Sequence, residues 1–198
     1  MALRVADYIV VGGGLTGCVV ASRLKQGDES LNIMLIEAGP DSSGDSRVKT
    51  PMAGFALSHS ELDWADQTVP QPHTYNRSFY STAGKTLGGG SVLNYGGWSR
   101  GDATDYDEWA RAVRDSRWSY QGLLPFFKKS EHYYDPNADP DQHSFGGPMH
   151  YISVAASDPE RQYPLREPLR AVWSELGLQY NPDTNGGSLA GISELEEN

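Results

Sequence analysis

The chain has 198 residues, 38% of them hydrophobic, and carries 16 Lys and Arg against 26 Asp and Glu for a net charge of −10. That length suffices for one domain and part of a second, and the mean hydropathy of −0.54 is that of a soluble protein. The acidic excess excludes a nucleic-acid partner, whose phosphates need a positive face, and docking on an anionic membrane. Cys18 is the sole cysteine, so no intrachain disulfide and no cysteine-based zinc site can form, and no metal is expected. The opening MALRVADYIVVGGG lacks the h-region and cleavage site of a signal peptide, and no run reaches the ~18 apolar residues of a membrane span. A cytoplasmic protein is the expectation, with the Asn76-Arg77-Ser78 sequon a chance match.

Asp7 to Val11 is a β-branched apolar run that reads as a buried parallel strand. A glycine loop follows, and then a helix from about Leu15 to Leu24, with Val19, Val20 and Leu24 available for the core and Gly27-Asp28 as its end. Leu31 to Ile36 reads as a second buried strand carrying Glu37 at its carboxyl end. Together these make a βαβ unit of right-handed crossover. Residues 39–60 are polar and irregular, with a short helix near Met52 to Leu57. Asp63 to Val69 and Ser78 to Thr82 are strand candidates. Thr104 is the N-cap candidate of a helix to Val113, and Tyr120 to Phe127 continues as a helix interrupted at Pro125. Tyr134 to Gly147 is a surface loop, and Met149 to Val154 a strand. Leu165, Leu169, Val172, Trp173 and Leu176 fall on one apolar helix face that Gly177 stops. No repeat, low-complexity tract or linker interrupts this order.

Gly12-Gly13-Gly14-Leu15-Thr16-Gly17 meets the G-x-G-x-x-G spacing in its required context: strand before, helix after, acid twenty positions past Gly17. Gly12 permits the tight turn, Gly14 lets a backbone N–H approach a pyrophosphate, and Gly17 lets the helix pack closely on the strand. The helix N-terminus supplies free N–H groups and partial positive charge for phosphates. Glu37 can accept from both ribose hydroxyls of an adenosine, and its charge would repel a 2′-phosphate. An NAD-binding module is one reading of this unit. The alternative reading of Cys18 as a redox group is weaker than that of a small packing residue.

Gly84 to Asp107, GKTLGGGSVLNYGGWSRGDATDYD, is a second glycine-rich region. A module that binds NAD alone has no need of it, whereas a flavin ring must be gripped beyond the pyrophosphate. Gly88, Gly89 and Gly90 would let backbone lie against a ring or diphosphate, and Ser91 and Asn94 offer hydrogen bonds. An exposed glycine hairpin is the plain alternative.

These residues resemble the glucose-methanol-choline (GMC) oxidoreductases, flavoenzymes that oxidise alcohols. Gly84, Lys85, Leu87, Gly88, Gly89, Gly90, Ser91, Leu93, Asn94, Trp98, Gly101 and Asp107 satisfy that family's first signature. The stretches DYIVVGGGLTG and LIEAGP are similar to its FAD-binding start, and Asp63-Trp64 with Thr68-Val69-Pro70-Gln71 to its next stretch. The resemblance implies an α/β fold: a Rossmann-like FAD-binding domain of GMC type, incomplete, with part of the substrate domain, residues 1–198 being the family's N-terminal region. It implies that Gly12, Gly14, Leu15, Thr16 and Gly17 lie at the FAD diphosphate and that Glu37, with Ala38 beside it, holds the adenosine ribose. Trp64 would contact FAD, or serve as a core aromatic. Gly88, Gly89, Gly90, Ser91, Asn94, Tyr95, Gly96 and Gly97 would line the flavin and diphosphate. Some relatives bind flavin covalently through a signature His; here Leu93 lies at that place and Lys85 to Arg100 contains no His, which implies non-covalent FAD.

The family's catalytic His with its His or Asn partner belongs to the C-terminal part of a longer chain. His59, His73, His132, His143 and His150 match no such motif and read as surface or packing residues, so no catalytic residue is assigned. The expectation is an FAD-dependent oxidoreductase acting on the CH–OH group of a small-molecule alcohol, truncated and inactive alone, with a sheet left with an unpaired edge and an exposed apolar face. A non-catalytic FAD-binding or interaction remnant is the alternative.

Overall fold

The computed structural model describes residues 5–50, 53–158, 160 and 163–197. The chain divides into two compact units, Met1–Tyr95 and Gly96–Asn198, so the boundary falls inside the second glycine-rich region.

In the first unit, β1 (Tyr8–Val11), α1 (Leu15–Gly27) and β2 (Ile33–Ile36) form the expected crossover, with β1 and β2 parallel and Tyr8, Ile9, Val10 and Val11 opposite Ile33 to Ile36 in order. Helix α1 stops where the Asp28 N–H returns to the Leu24 carbonyl, and Lys25 Nζ donates to the Glu29 and Leu31 carbonyls. A short α2 (Ser46–Lys49) is capped by Asp45, whose carboxylate accepts from Arg47 N–H at 2.8 Å. Ala53–Ala56 makes a single 3₁₀ turn; Met52, where a helix was expected to begin, lies outside the described residues. Strands β3 (Asp66–Gln67) and β4 (Tyr80–Ser81) pair antiparallel but are shorter than the runs that suggested them. The packed centre is Leu57, Leu62 and Leu93, backed by Val48 and Val92.

The βαβ unit departs from expectation in burial. Val11 is 81% exposed and Ile9 59%, while Val19 and Val20 on α1 also face outward. Helix α1 contains no buried residue. The reason is geometric: β1 and β2 are the whole sheet among the described residues, covered by one helix, so their runs lack the second covering layer that parallel sheets normally have.

In the second unit, α3 (Ala103–Val113) begins one residue before the expected cap. Asp102 is the N-cap, accepting from Thr104 N–H at 2.8 Å, so Thr104 supplies the donor and not the cap. Helix α4 (Tyr120–Ser130) runs through Pro125 and starts at Ser119, whose hydroxyl accepts from Gly122 N–H. A Cβ on Gly122 would stand 2.5 Å from the Ser116 carbonyl oxygen, so glycine lets the preceding turn Ser116–Trp118 fold back onto α4. Strands β5 (Glu131–Tyr133), β6 (Met149–Ser153) and β7 (Glu196–Glu197) form one sheet, β5 parallel and β7 antiparallel to the central β6. A one-turn α5 (Val154–Ser157) follows β6. Helix α6 (Arg166–Glu175) ends before Gly177, whose φ of +89° suits glycine. Its apolar face does not enter a core: Leu165, Leu169, Val172, Trp173 and Leu176 are all exposed. The buried centre of this unit is instead aromatic and charged, built from Tyr120, Leu124, Tyr133 and Tyr151 with Arg100, Glu131, His143, Asn185 and Glu196.

Candidate cofactor site

The first unit brings the two glycine loops together. Gly88 N–H donates to the Gly13 carbonyl at 2.7 Å, and Gly14 and Gly88 form an isolated parallel bridge. Gly89 approaches so closely that a Cβ there would lie 2.8 Å from Gly14 Cα. Residues some seventy positions apart thus share one backbone surface, and only glycine permits it.

Each glycine has a separate reason. Gly12 turns the chain out of β1 with φ +94°, and its N–H still bonds the Ile36 carbonyl across the sheet at 2.7 Å. A Cβ on Gly17 would stand 2.0 Å from the Gly12 carbonyl oxygen, so the helix closes on its own loop as well as on the strand, where Val10 Cγ1 is 3.4 Å away. In the second loop Gly88 and Gly89 take φ +97° and +56°, a region in which a Cβ is strained. Gly84 meets the Gly89 carbonyl at 2.2 Å from its own virtual Cβ, which folds that loop into a tight return. Gly14 and Gly90 differ from these. A Cβ on either would meet nothing within 4 Å.

Gly13, which pattern reading passes over, is central. Its N–H donates to Glu37 Oε2 at 2.6 Å, and Gly39 N–H donates to Glu37 Oε1 at 2.9 Å. The Gly39 N–H, with a smaller contribution from Gly13 and against the opposing effect of burial, holds the Glu37 carboxyl below its usual range. Glu37 is therefore ionised at neutral pH, anchored by backbone, with lone pairs left to accept further hydroxyls. The segment after it is clamped to the second loop. Leu87 N–H reaches the Pro40 carbonyl at 3.0 Å, and the fully buried Thr86 hydroxyl bonds Pro40 O and Ser42 Oγ, each at 2.8 Å. A Cβ on Gly39 would lie 1.9 Å from the Lys85 carbonyl oxygen.

Around this junction Leu15, Thr16, Ala38, Gly90, Ser91, Asn94 and Tyr95 are all exposed. Helix α1 opens at Gly14 with no side-chain cap and no acid in its first turn, so no residue of the helix itself offsets its positive end. Ser91 donates to the Gly88 carbonyl at 2.8 Å, which braces the 3₁₀ turn Gly89–Ser91. Trp64 is 46% exposed, its N–H bonds the Ala83 carbonyl, and Lys85 Nζ sits 4.7 Å over its ring. An exposed indole is no core aromatic. Tyr95 stacks on Phe55 at 4.3 Å.

Below Trp64, the buried Asp63 collects four donors: the N–H groups of His59 (3.0 Å), Ala65 (3.0 Å) and Ala83 (3.1 Å), and the Tyr80 hydroxyl. Nothing in the spacing of the sequence marks Asp63 as this hub.

The remaining signature residues serve the second unit. Gly97 bridges to Glu197, Trp98 N–H donates to the Glu196 carbonyl at 2.8 Å, and the Trp98 ring stacks on Tyr151. Gly96 and Gly101 take φ +88° and +93°. Asp107 accepts from Tyr120 N–H at 3.1 Å, fixing the start of α4. The signature is thus two pieces of local structure: a loop junction up to Tyr95, and a strand edge and helix entry from Gly96 on. Among the described residues no group of His, Cys, Asp and Glu could hold a metal ion, and no helix is long and apolar enough to cross a membrane.

The model of the GMC oxidoreductase family matches residues 6–198. GMC-type oxidoreductase acuG of Aspergillus aculeatus is 40% identical over 192 residues, covering 97% of this chain and 32% of that protein. Among solved structures, pyridoxine 4-oxidase from Mesorbium loti superposes with a TM-score of 0.84 at 31% identity, over 98% of this chain and 36% of the other. A formate oxidase of Aspergillus oryzae RIB40, solved to follow modification of its FAD, gives 0.82 at 30% identity over 97% and 34%. The chain spans about a third of the length of the relatives it matches. With the match running through both glycine loops and both units, the chain belongs to the GMC oxidoreductase family.

Proposed function

We propose that this chain carries the FAD cradle of an oxidoreductase that acts on the CH–OH group of a small-molecule alcohol. The observation that carries the reading is the junction of the two glycine loops, Gly13 and Gly14 against Gly88 and Gly89. One dinucleotide loop explains a diphosphate; two loops sharing a surface suit a longer cofactor whose ring needs its own support. The residues present fit such a group. A Cβ on Gly14 or Gly90 would meet nothing within 4 Å, and the first turn of α1 carries no acid of its own. Gly12, Gly14, Leu15, Thr16 and Gly17 would hold the diphosphate, and Glu37 beside Ala38 the ribose hydroxyls, its negative charge disfavouring a 2′-phosphate. Trp64, Gly88, Gly89, Gly90, Ser91, Asn94 and Tyr95 would line the flavin side, and Gly96 and Gly97 continue that lining in the family's pattern. When bound, FAD supplies the hydride acceptor for alcohol oxidation.

The formate oxidase neighbour is described with its FAD, and the other neighbour is named as an oxidase of pyridoxine; both support the class of small-molecule oxidoreductase. Attachment is non-covalent, since no His stands between Lys85 and Arg100 and Leu93 is buried in the first unit's packed centre. Reconstitution with FAD followed by acid precipitation tests this. Yellow supernatant over a colourless pellet is expected, and a yellow pellet would refute the non-covalent reading. Saturable binding of NAD with none of FAD would refute the flavin reading itself.

Four of the five histidines are otherwise engaged. His59 stacks on Tyr80, His132 on His150, and His143 is fully buried. We assign none of them the proton transfer of alcohol oxidation, and the 198-residue chain alone is expected to turn over no primary alcohol. Measured turnover that disappears in Asn94→Ala would overturn that.

A further inference from the structure

The second unit contains a buried ion cluster that no part of the cofactor reading uses. His143, at 1% exposure, lies in the loop between β5 and β6, its N–H bonded to the Asp139 carbonyl. Its Nε2 is 2.9 Å from Asp183 Oδ2, and its Nδ1 is 3.2 Å from the Tyr151 hydroxyl and 3.6 Å from Glu131 Oε1. The hydrogen positions follow from the partners. Glu131 pairs with Arg100 and accepts from Ser144 N–H at 2.8 Å. It is thus an ionised acceptor, held down to about 2 by His143, Tyr151 and Arg100 although its burial opposes this. Tyr151 has one proton and gives it to Glu131 Oε2 at 2.7 Å. Its oxygen can then only accept from His143, so Nδ1 bears a hydrogen. Asp183 Oδ2 is a carboxylate oxygen, so Nε2 bears one too. Both ring nitrogens donate, and the ring is an imidazolium.

We propose that His143 is a buried imidazolium clip that fastens the loop Asn181–Gly187 to β5 and β6, and that alkaline solution releases this loop by removing the ring proton. The loop is well placed to be held this way. Asp183 accepts from Asn185 N–H at 3.0 Å, and the fully buried Asn185 in turn accepts from Arg100 N–H at 2.7 Å and donates to Glu196. The groups facing the ring are therefore Glu131 and Tyr133 from β5, Tyr151 from β6 and Asp183 from the clipped loop. Arg100 pairs with Glu131 while its own charge opposes protonation of the ring, and Glu196 of β7 lies behind Asn185. Loss of the proton leaves a lone pair on Nδ1 against the oxygen of a hydroxyl already committed to Glu131, so the contact turns from attractive to repulsive. Burial alone would lower the ring's pKa; Asp183 and Glu131 outweigh it and raise it from 6.5 to about 9. A raised folded value means that the stabilisation is whole below 6.5 and disappears as pH rises through about 9.

The test is nitrogen NMR on the ¹⁵N-histidine-labelled 198-residue chain in which His59, His73, His132 and His150 are replaced by Gln, leaving one ring to observe. The expected result is two protonated ring nitrogens at neutral pH, converting only in the alkaline range, together with amide exchange at Asn185 that accelerates across the same range beyond ordinary base catalysis. A neutral ring at neutral pH, with one unprotonated nitrogen, would overturn the proposal. Should the fourfold variant not fold, the same signals assigned in the unaltered chain by difference against Asp183→Asn decide the matter. That substitution is expected to lower the ring's titration by roughly one unit or more, and an unchanged midpoint would overturn the clip.

Discussion

Asp63 shows how much one side chain can organise. Its carboxylate accepts from His59, Ala65, Ala83 and Tyr80, tying the turn before Trp64 to the segment that leads into Gly84. Asp63→Asn replaces one acceptor oxygen by a donor facing donors, and we expect it to destabilise the first unit by about 1–3 kcal/mol in urea denaturation. Burial alone would raise the Asp63 pKa, but the N–H groups of Ala65, His59 and Ala83 hold it down. The stabilisation from a depressed carboxyl is present above its unfolded value, about 3.9, and is lost as pH falls through the lower folded value. Acid denaturation of wild type should therefore steepen below about pH 4, and that part of the transition should be missing in Asp63→Asn. Glycine positions sort in the same way. Gly17→Ala and Gly39→Ala drive a Cβ to 2.0 and 1.9 Å from carbonyl oxygens, and each should cost about 1–3 kcal/mol even without any ligand.

At the scale of elements, the βαβ order, the parallel strands and the loop between were legible, because continuous apolar runs and G-x-G-x-x-G are local patterns. The end of α1 at Asp28 and of α6 before Gly177 were legible too. Burial was not. Val11, Val19, Leu169 and Leu176 read as core residues because an apolar stripe implies a covering layer, yet whether the layer exists is a property of the fold and not of the stripe. The cap of α3 was missed by two residues because Asp102 and Thr104 are both good cap types, and only geometry separates acceptor from donor. The His143 cluster was invisible because its members come from positions 100, 131, 143, 151 and 183, with no spacing that announces them. The exposure of β1 has a direct check. Val11, 81% exposed, should tolerate Val11→Ser with a stability change within about 0.5 kcal/mol by thermal melting; a loss near that of a core valine would show the strand to be covered.

Across the whole molecule, each unit pairs a small, well-bonded interior with broad apolar exposure: β1 and α1 in the first unit, the α6 face in the second. Exposed faces of this kind favour association, and among the described residues β1 and β2 each have one edge without a neighbouring strand. The chain should bind a hydrophobic dye in its native state and elute from a sizing column ahead of a 21.7 kDa monomer, with Leu169→Glu plus Leu176→Glu reducing both effects. The family match runs through both units, whereas the proposed cofactor site rests on the first, where the glycine loops meet; the relatives are about three times as long. The most direct measurement is an FAD titration, followed by flavin fluorescence, of the chain beside its Gly14→Ala variant. Gly14 has φ −72° and nothing within 4 Å of its virtual Cβ, so the chain itself has room for a methyl group there and only a cofactor against the loop would not. Saturable FAD binding that weakens by roughly tenfold or more in the variant, with the ligand-free melting temperature unchanged, is the expected result. Equal affinity in the two proteins, or no FAD binding by either, would contradict the cradle.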